Sequence, residues 1–148
     1  MGVKSVIEKH KRIMIDTAPI IYFIEEHKDF GKITDELFKL IRDNPDYHAF
    51  SSVITLIEVL AQPLKSLRED IVGKYRNFLL HSSNFTLYSI DPIITEKAAE
   101  LRAQYGIKIP DAIQLAAGIE NNGTLFITND KDLKKIEEIE IIVLENYL

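Results

Sequence analysis

The sequence predicts an α/β protein, a three-layer α/β/α sandwich around a mainly parallel sheet of about five strands, and two observations carry that expectation. Short apolar runs of strand length alternate with longer stretches of helical periodicity along the whole chain. Two of those runs, Ile13-Met14-Ile15 and Leu125-Phe126-Ile127, stop abruptly in acid, at Asp16 and Asp130. In an open parallel sheet the space beyond the carboxyl ends of the strands is where ligands sit, so acids there are placed for chemistry.

Taken in order, Arg12 to Ile15 reads as the first strand. Asp16 is followed by Pro19 and the apolar run Ile20 to Ile24, so Asp16 also has the look of a helix N-cap. Ile33, Leu37, Leu40 and Ile41 give a second helix, stopped at Asn44-Pro45, and Ala49-Phe50 a strand running into Ser51-Ser52. The helix after it aligns Ser51, Thr55, Glu58 and Gln62 along one narrow polar line, either a thin solvated face or a face turned to a cation or partner. Pro63 is expected to break this helix, and Ser66-Leu67-Arg68-Glu69 to cap the next as a capping box, with an apolar stripe of Leu67, Ile71, Tyr75, Phe78 and Leu79. Its opposite face carries Arg68, Lys74 and Arg76, charges that could touch phosphate, although charges on a helix exterior are usually just solvated.

Leu87 to Ile90 reads as a strand, and Asp91-Pro92 as the cap and first residue of a helix that ends at Gly106. A further helix starts at Pro110-Asp111 and ends at Asn121-Asn122-Gly123. Its small face of Ala112, Ala116, Ala117 and Gly118 suits close packing on a sheet, and Asp111 in its first turn is also what the helix dipole favours. A short basic turn through Lys134 and Lys135 and a strand from Ile139 to Leu144 close the chain.

The 148 residues are expected to form a single domain, 1–148. No Pro/Gly/Ser-rich linker, internal repeat or apolar leader is visible, and the absence of cysteine removes thiolate metal sites and cysteine nucleophiles, so a cytoplasmic protein is expected. His10, His27, His48 and His81 have no partner at metal-ligand spacing. The net charge of −5 argues on its face against a phosphate-gripping protein. Setting aside four acids gathered in one site leaves 19 acids against 18 bases, a nearly neutral remainder.

Those four are Asp16, Glu58, Asp111 and Asp130: two just past strand ends, two expected in first turns of helices, all at positions that gather on one rim of a parallel sheet. Carboxylates held close repel one another unless neutralised, and hard oxygen ligands without Cys or His select Mg²⁺ or Mn²⁺. That chemistry suits metal-assisted phosphodiester cleavage without a protein nucleophile.

Ile15-Asp16-Thr17, Ile54-Thr55-Leu56-Ile57-Glu58, Ile109-Pro110-Asp111-Ala112 and Ile127-Thr128-Asn129-Asp130 resemble, in order and spacing, the four acidic motifs of PIN-domain nucleases, VapC-type toxins above all, over Arg12 to Leu144. The resemblance implies an Mg²⁺- or Mn²⁺-dependent endoribonuclease acting on RNA, usually a homodimer and often inhibited by an antitoxin protein that inserts an Arg or another group into the acidic site. Asp16, Glu58, Asp111 and Asp130 would then be metal-binding and catalytic, with Thr128 supporting the last acid. Asp132 is a further nearby acid, although an exposed turn residue accounts for it as well. The lead of Met1 to Lys11 before the first strand is long for such toxins.

Two other folds that place Asp after a first strand fit poorly. A phosphatase of the haloacid dehalogenase type needs a second Asp where Ala18 stands, and a receiver domain needs an adjacent acidic pair that Ile15-Asp16-Thr17 lacks. A non-catalytic PIN module serving as an RNA-binding or scaffold protein, whose mark would be loss of one acid, and a DNA-directed nuclease are the remaining alternatives.

Overall fold

In the computed structural model, which describes residues 2–148, five strands form one parallel sheet in the order β3-β2-β1-β4-β5. They are β1 (Arg12–Ile15), β2 (His48–Ser52), β3 (Phe85–Tyr88), β4 (Leu125–Thr128) and β5 (Glu140–Val143). Central β1 pairs with β2 through Met14↔Phe50 and with β4 through Met14↔Phe126. From β1 the chain steps through β2 and β3 to one side, and later through β4 and β5 to the other. The connections therefore diverge at the carboxyl end of β1, which opens a crevice there.

Alternation along the strands divides the core in two. Ile13, Ile15, Ala49, Leu125 and Ile127 face a layer that contains α1 (Val3–Ile7), α2 (Thr17–Ile24), α3 (Gly31–Asp43), α4 (Val53–Lys65) and α5 (Glu69–His81). Met14, Phe50, Phe126 and Ile141 face α6 (Pro92–Tyr105) and α7 (Ile109–Glu120). The small face of α7 packs as expected: a Cβ built on Gly118 would stand 3.2 Å from Met14 of β1, so the helix backbone lies against the central strand.

Capping follows the sequence closely in α6. Asp91 accepts the N–H of Ile94 at 2.9 Å, Pro92 takes the first turn, and Gly106 closes the helix at φ 68° in the left-handed region.

Three local expectations need correction. Pro63 does not end α4, which runs on to Lys65; the ring is buried, and the loss of one N–H is tolerated in a last turn whose carbonyls at Gln62, Pro63 and Leu64 are met by the N–H groups of Ser66, Arg68 and Leu67. The capping box does not form. Ser66 closes α4 instead, because Leu67 turns the chain at φ 56°, and α5 starts after Arg68, whose guanidinium bonds Asp70 in the first turn. Leu67 consequently leaves the predicted apolar stripe and is 85% exposed. The N-terminal lead, in which no element was foreseen, contains α1, with Val3, Val6 and Ile7 buried.

Candidate functional site

Asp16, the first residue beyond β1, caps α2 as expected and also reaches the end of β4. Its Oδ1 accepts the N–H of Thr17 at 2.9 Å, which caps α2, and its Oδ2 accepts the hydroxyl of Thr128 from the end of β4 at 2.8 Å. Burial pushes its pKa up to about 6. The two hydrogen bonds oppose that rise, and the negative charges of Asp111 and Glu58 add to it. The Thr128 hydroxyl also accepts the N–H of Asp130 at 3.1 Å, so a single oxygen joins the acids that follow β1 and β4. Asp130 in turn accepts the N–H of exposed Asp132 through Oδ1 at 3.0 Å and starts a 3₁₀ turn over Lys131–Lys135.

Asp111 stands half-buried in the first turn of α7. Burial raises its pKa, the charges of Asp130, Glu58 and Asp132 raise it further, and only Lys108 pulls it down. Glu58 lies in the second turn of α4, not the first, because Ser51 and Ser52 belong to β2 and the helix starts at Val53. Its side chain is exposed, with Oε1 accepting the Thr17 hydroxyl at 2.7 Å.

These acids meet at one rim but not in one cleft. An open cleft of about 480 Å³ is lined by Asp16, Tyr22, Thr128, Asn129, Asp130 and Asp132, whereas Glu58 lines a neighbouring one of about 280 Å³ with Glu25, Gln62, Arg68 and Tyr75. Asp111 lines neither and communicates with the others through its charge. As the side chains stand, no three His, Asp or Glu among the described residues form a set able to hold a metal ion. The donor chemistry nevertheless fits one: carboxylate and hydroxyl oxygens suit Mg²⁺ or Mn²⁺, and a cation at this rim would offset the burial, and with it the like-charge repulsion, that lift Asp16 and Asp111.

Several polar residues around the acids escaped the sequence reading. Thr17 serves Asp16 with its N–H and Glu58 with its hydroxyl. Gln114, buried on α7, bonds Ser52, Thr17 and Thr55. The signal for it was present, since it is the one polar residue among the small and apolar residues from Ala112 to Gly118. Ser51 and Thr55, read as part of a polar line, are fully buried and bond each other at 2.7 Å, while Glu58 and Gln62 are exposed, so only the second half of that line faces solvent. At the edge of the larger cleft Asn129 donates to the Tyr22 hydroxyl at 3.0 Å, and the Tyr22 ring stacks on Phe30 at 4.7 Å between centroids. The four histidines stand outside the acid cluster; His10, His27 and His48 bond Thr124, the backbone of Asp29 and Phe30, and Thr86 respectively. Arg68 spends its charge on Asp70.

A model of the PIN domain matches residues 13–139, most of the chain and all four acids. The chain belongs to the PIN domain family. Among solved structures this PIN domain is similar to VapBC2 from Rickettsia felis bound to a DNA fragment from its promoter, at 22% identity and TM-score 0.73, covering 89% of this chain and 98% of that one. It is similar also to DNA-bound VapBC from Salmonella typhimurium, at 20% identity and TM-score 0.72 with coverage of 90% and 98%. A third structure, VapC20 of Mycobacterium tuberculosis, described as a toxin that cleaves the sarcin-ricin loop, aligns at 14% identity and TM-score 0.67 over 86% of this chain and 98% of its own. At these identities the likeness is one of fold. A search of curated protein sequences gives no match. No helix among the described residues is long and apolar enough to cross a membrane.

Proposed function

We propose that this PIN domain is a metal-dependent endoribonuclease, the toxin of a toxin–antitoxin pair, with Mg²⁺ or Mn²⁺ held by Asp16, Glu58, Asp111 and Asp130. The observation that carries the reading is the gathering of acids from two helices and two strand ends at the rim where the sheet connections diverge, where burial and then the neighbouring negative charges raise the proton affinity of Asp16 and Asp111. A divalent ion bound by these acids supplies an activated water and neutralises charge developing on a phosphodiester. The chain's own part is positional. Thr128 fixes Asp16 and Asp130 relative to each other, Thr17 does the same for Asp16 and Glu58, and the rigid first turn of α7 presents Asp111. The open cleft beside Asp16 and Asp130 leaves an extended single strand room to lie across the rim. RNA as the substrate and an antitoxin as the partner are supported by the structural neighbours, which include VapBC assemblies and a toxin that cleaves the sarcin-ricin loop.

The purified protein is expected to cleave single-stranded RNA with Mn²⁺ or Mg²⁺ and to fall silent in EDTA, and Asp16→Asn or Asp130→Asn should each abolish cleavage while circular dichroism stays unchanged. Cleavage undiminished in EDTA would remove the metal mechanism, and cleavage of DNA in preference to RNA would redirect the substrate. Sequencing of the adjacent reading frame is a further test: a small DNA-binding protein encoded there would support the toxin assignment. For assembly, Ile57, Leu64 and Leu67, exposed on and just after α4, support a homodimer built on helices. Light scattering that reports only monomer at micromolar concentration counts against it.

A further inference from the structure

The buried polar groups beneath the acids form a chain of hydrogen bonds whose direction can be worked out group by group. Ser52, which accepts the N–H of Ile54 as the cap of α4, donates its proton to the Oε1 of Gln114, an oxygen that can only accept. That fixes the amide: Nε2 of Gln114 faces the threonines, donating to Thr55 at 2.8 Å and to Thr17 at 3.3 Å. Glu58, as a carboxylate, only accepts, so the Thr17 proton points to its Oε1 at 2.7 Å. Thr17 must then accept from Thr55 at 3.0 Å, and Thr55, its proton used, must accept from Ser51 at 2.7 Å. The hydroxyls run with one polarity, Ser51 to Thr55 to Thr17 to Glu58, with the Gln114 amide locking the direction. Such chains polarise each bond by its neighbour, which strengthens the last donor.

We infer that Gln114, Thr55 and Thr17 are positioning residues that hold Glu58, an exposed and otherwise freely rotating side chain, where it can share a cation with Asp16. The inference rests on the proposed metal-dependent function and deepens it. Thr17 orients two of the candidate ligands from a single residue, and Gln114, one turn beyond Asp111 on α7, ties the helix carrying the third ligand to the same network. The last hydroxyl of the chain, on buried Thr17, needs an acceptor and takes the carboxylate of Glu58, so the proton that satisfies the buried network also fixes the side chain of a candidate ligand.

The test compares wild type, Thr17→Val, Thr17→Ser and Gln114→Met by three readouts: Mn²⁺ affinity from titration calorimetry, kcat and KM on single-stranded RNA, and melting temperature in EDTA. Loss of a group that orients a metal ligand is expected to weaken Mn²⁺ binding by at least about tenfold in Thr17→Val and Gln114→Met. Thr17→Ser, which keeps the hydroxyl, should return to within about threefold of wild type. Substitutions acting on the core alone would lower the melting temperature and leave the Mn²⁺ affinity of the folded protein where it was; that pattern overturns the inference. So does a Thr17→Ser as impaired as Thr17→Val. Should Thr17→Val fail to fold, Gln114→Met is judged by the same criteria. If wild type binds Mn²⁺ and cleaves RNA while both variants match it, the positioning role falls and the nuclease reading stands. If wild type does neither, both fall.

Discussion

At the start of β1 the guanidinium of Arg12 donates to the carbonyl of Asn121 at 3.0 and 2.8 Å and to the Tyr88 hydroxyl at 3.0 Å, and it lies 5.1 Å from the centre of the Phe50 ring. Four residues on, about 13 Å along the strand, Asp16 is likewise partly buried and finds two donors, but also the negative charges of Asp111 and Glu58. The same strand thus carries a cation whose burial is matched by acceptors and a π face, and an anion whose burial is aggravated by neighbours of its own sign. A charge kept only for the fold is expected to look like Arg12. A charge that persists although its surroundings oppose it is the kind found at functional sites, because something other than folding must keep it.

The contrast is broken most forcefully at its stabilising end. Arg12→Met removes three donated bonds and strands the Asn121 carbonyl at the end of α7, and should lower unfolding free energy by about 2–4 kcal/mol. Urea unfolding measures it, and the stability gained on adding Mn²⁺ should not change. A loss under 1 kcal/mol would mean that water replaces those contacts at roughly no cost.

The opposite sign is expected at the other end. The carboxyl of Asp16 has a folded pKa of about 6 against 3.8 unfolded. A raised acid pKa means that the folded state binds the proton more tightly, so the penalty is absent below pH 3.8, grows as pH rises, and is complete above about 6. Asp16→Asn deletes the charge and keeps one acceptor for the Thr17 N–H, while the Thr128 hydroxyl must turn from donating to a carboxylate oxygen to accepting from the amide, which takes back part of the gain. In EDTA at pH 7 it should gain at most about 3 kcal/mol over wild type, and the gain should vanish towards pH 4. A gain that does not depend on pH would sink the electrostatic account.

Asp111→Asn should act in the same direction but less, because its side chain is only half-buried and solvent screens it. The apo melting temperature should rise, and the added stability from Mn²⁺ should shrink, since a ligand bound only by the native state stabilises it by mass action. A lower apo melting temperature with an intact Mn²⁺ shift would make Asp111 a mere dipole-favoured helix-start residue. The smallest effect belongs to Asp91→Asn. Asp91 caps α6 as Asp16 caps α2, but without acidic neighbours among its contacts, and Asn caps about as well, so stability should move by less than about 0.5 kcal/mol and the Mn²⁺ response not at all.

Several features were legible before any coordinates because they depend on neighbours in the chain. The strand ends at Asp16 and Asp130, the Asp91-Pro92 start and the Gly106 stop of α6, and the small face of α7 are set by local propensity and by periodicity, and each stands where the sequence puts it. That acids gather on one rim of a parallel sheet was legible from the strand ends and helix starts, and the structure puts Asp16 and Asp111 within reach of one another's charge and of that of Glu58, although Glu58 lines a separate cleft. What surrounds them was not. Ser66 has the residues of a capping box, yet the left-handed turn at Leu67 hands it to the helix before; Pro63 looks like a breaker, yet it lies where the helix is already ending. Whether Ser51 and Thr55 face solvent or a partner stays open in the sequence, because one chain segment cannot show that α7 brings Gln114 to Thr55, 59 residues away. Hydrogen-bond partners so far apart in sequence are chosen by how the helices pack across the sheet. Only the tertiary structure decides that an exposed glutamate on α4 ends a buried chain of hydroxyls, and that Arg12 finds its acceptors in α7 and β3.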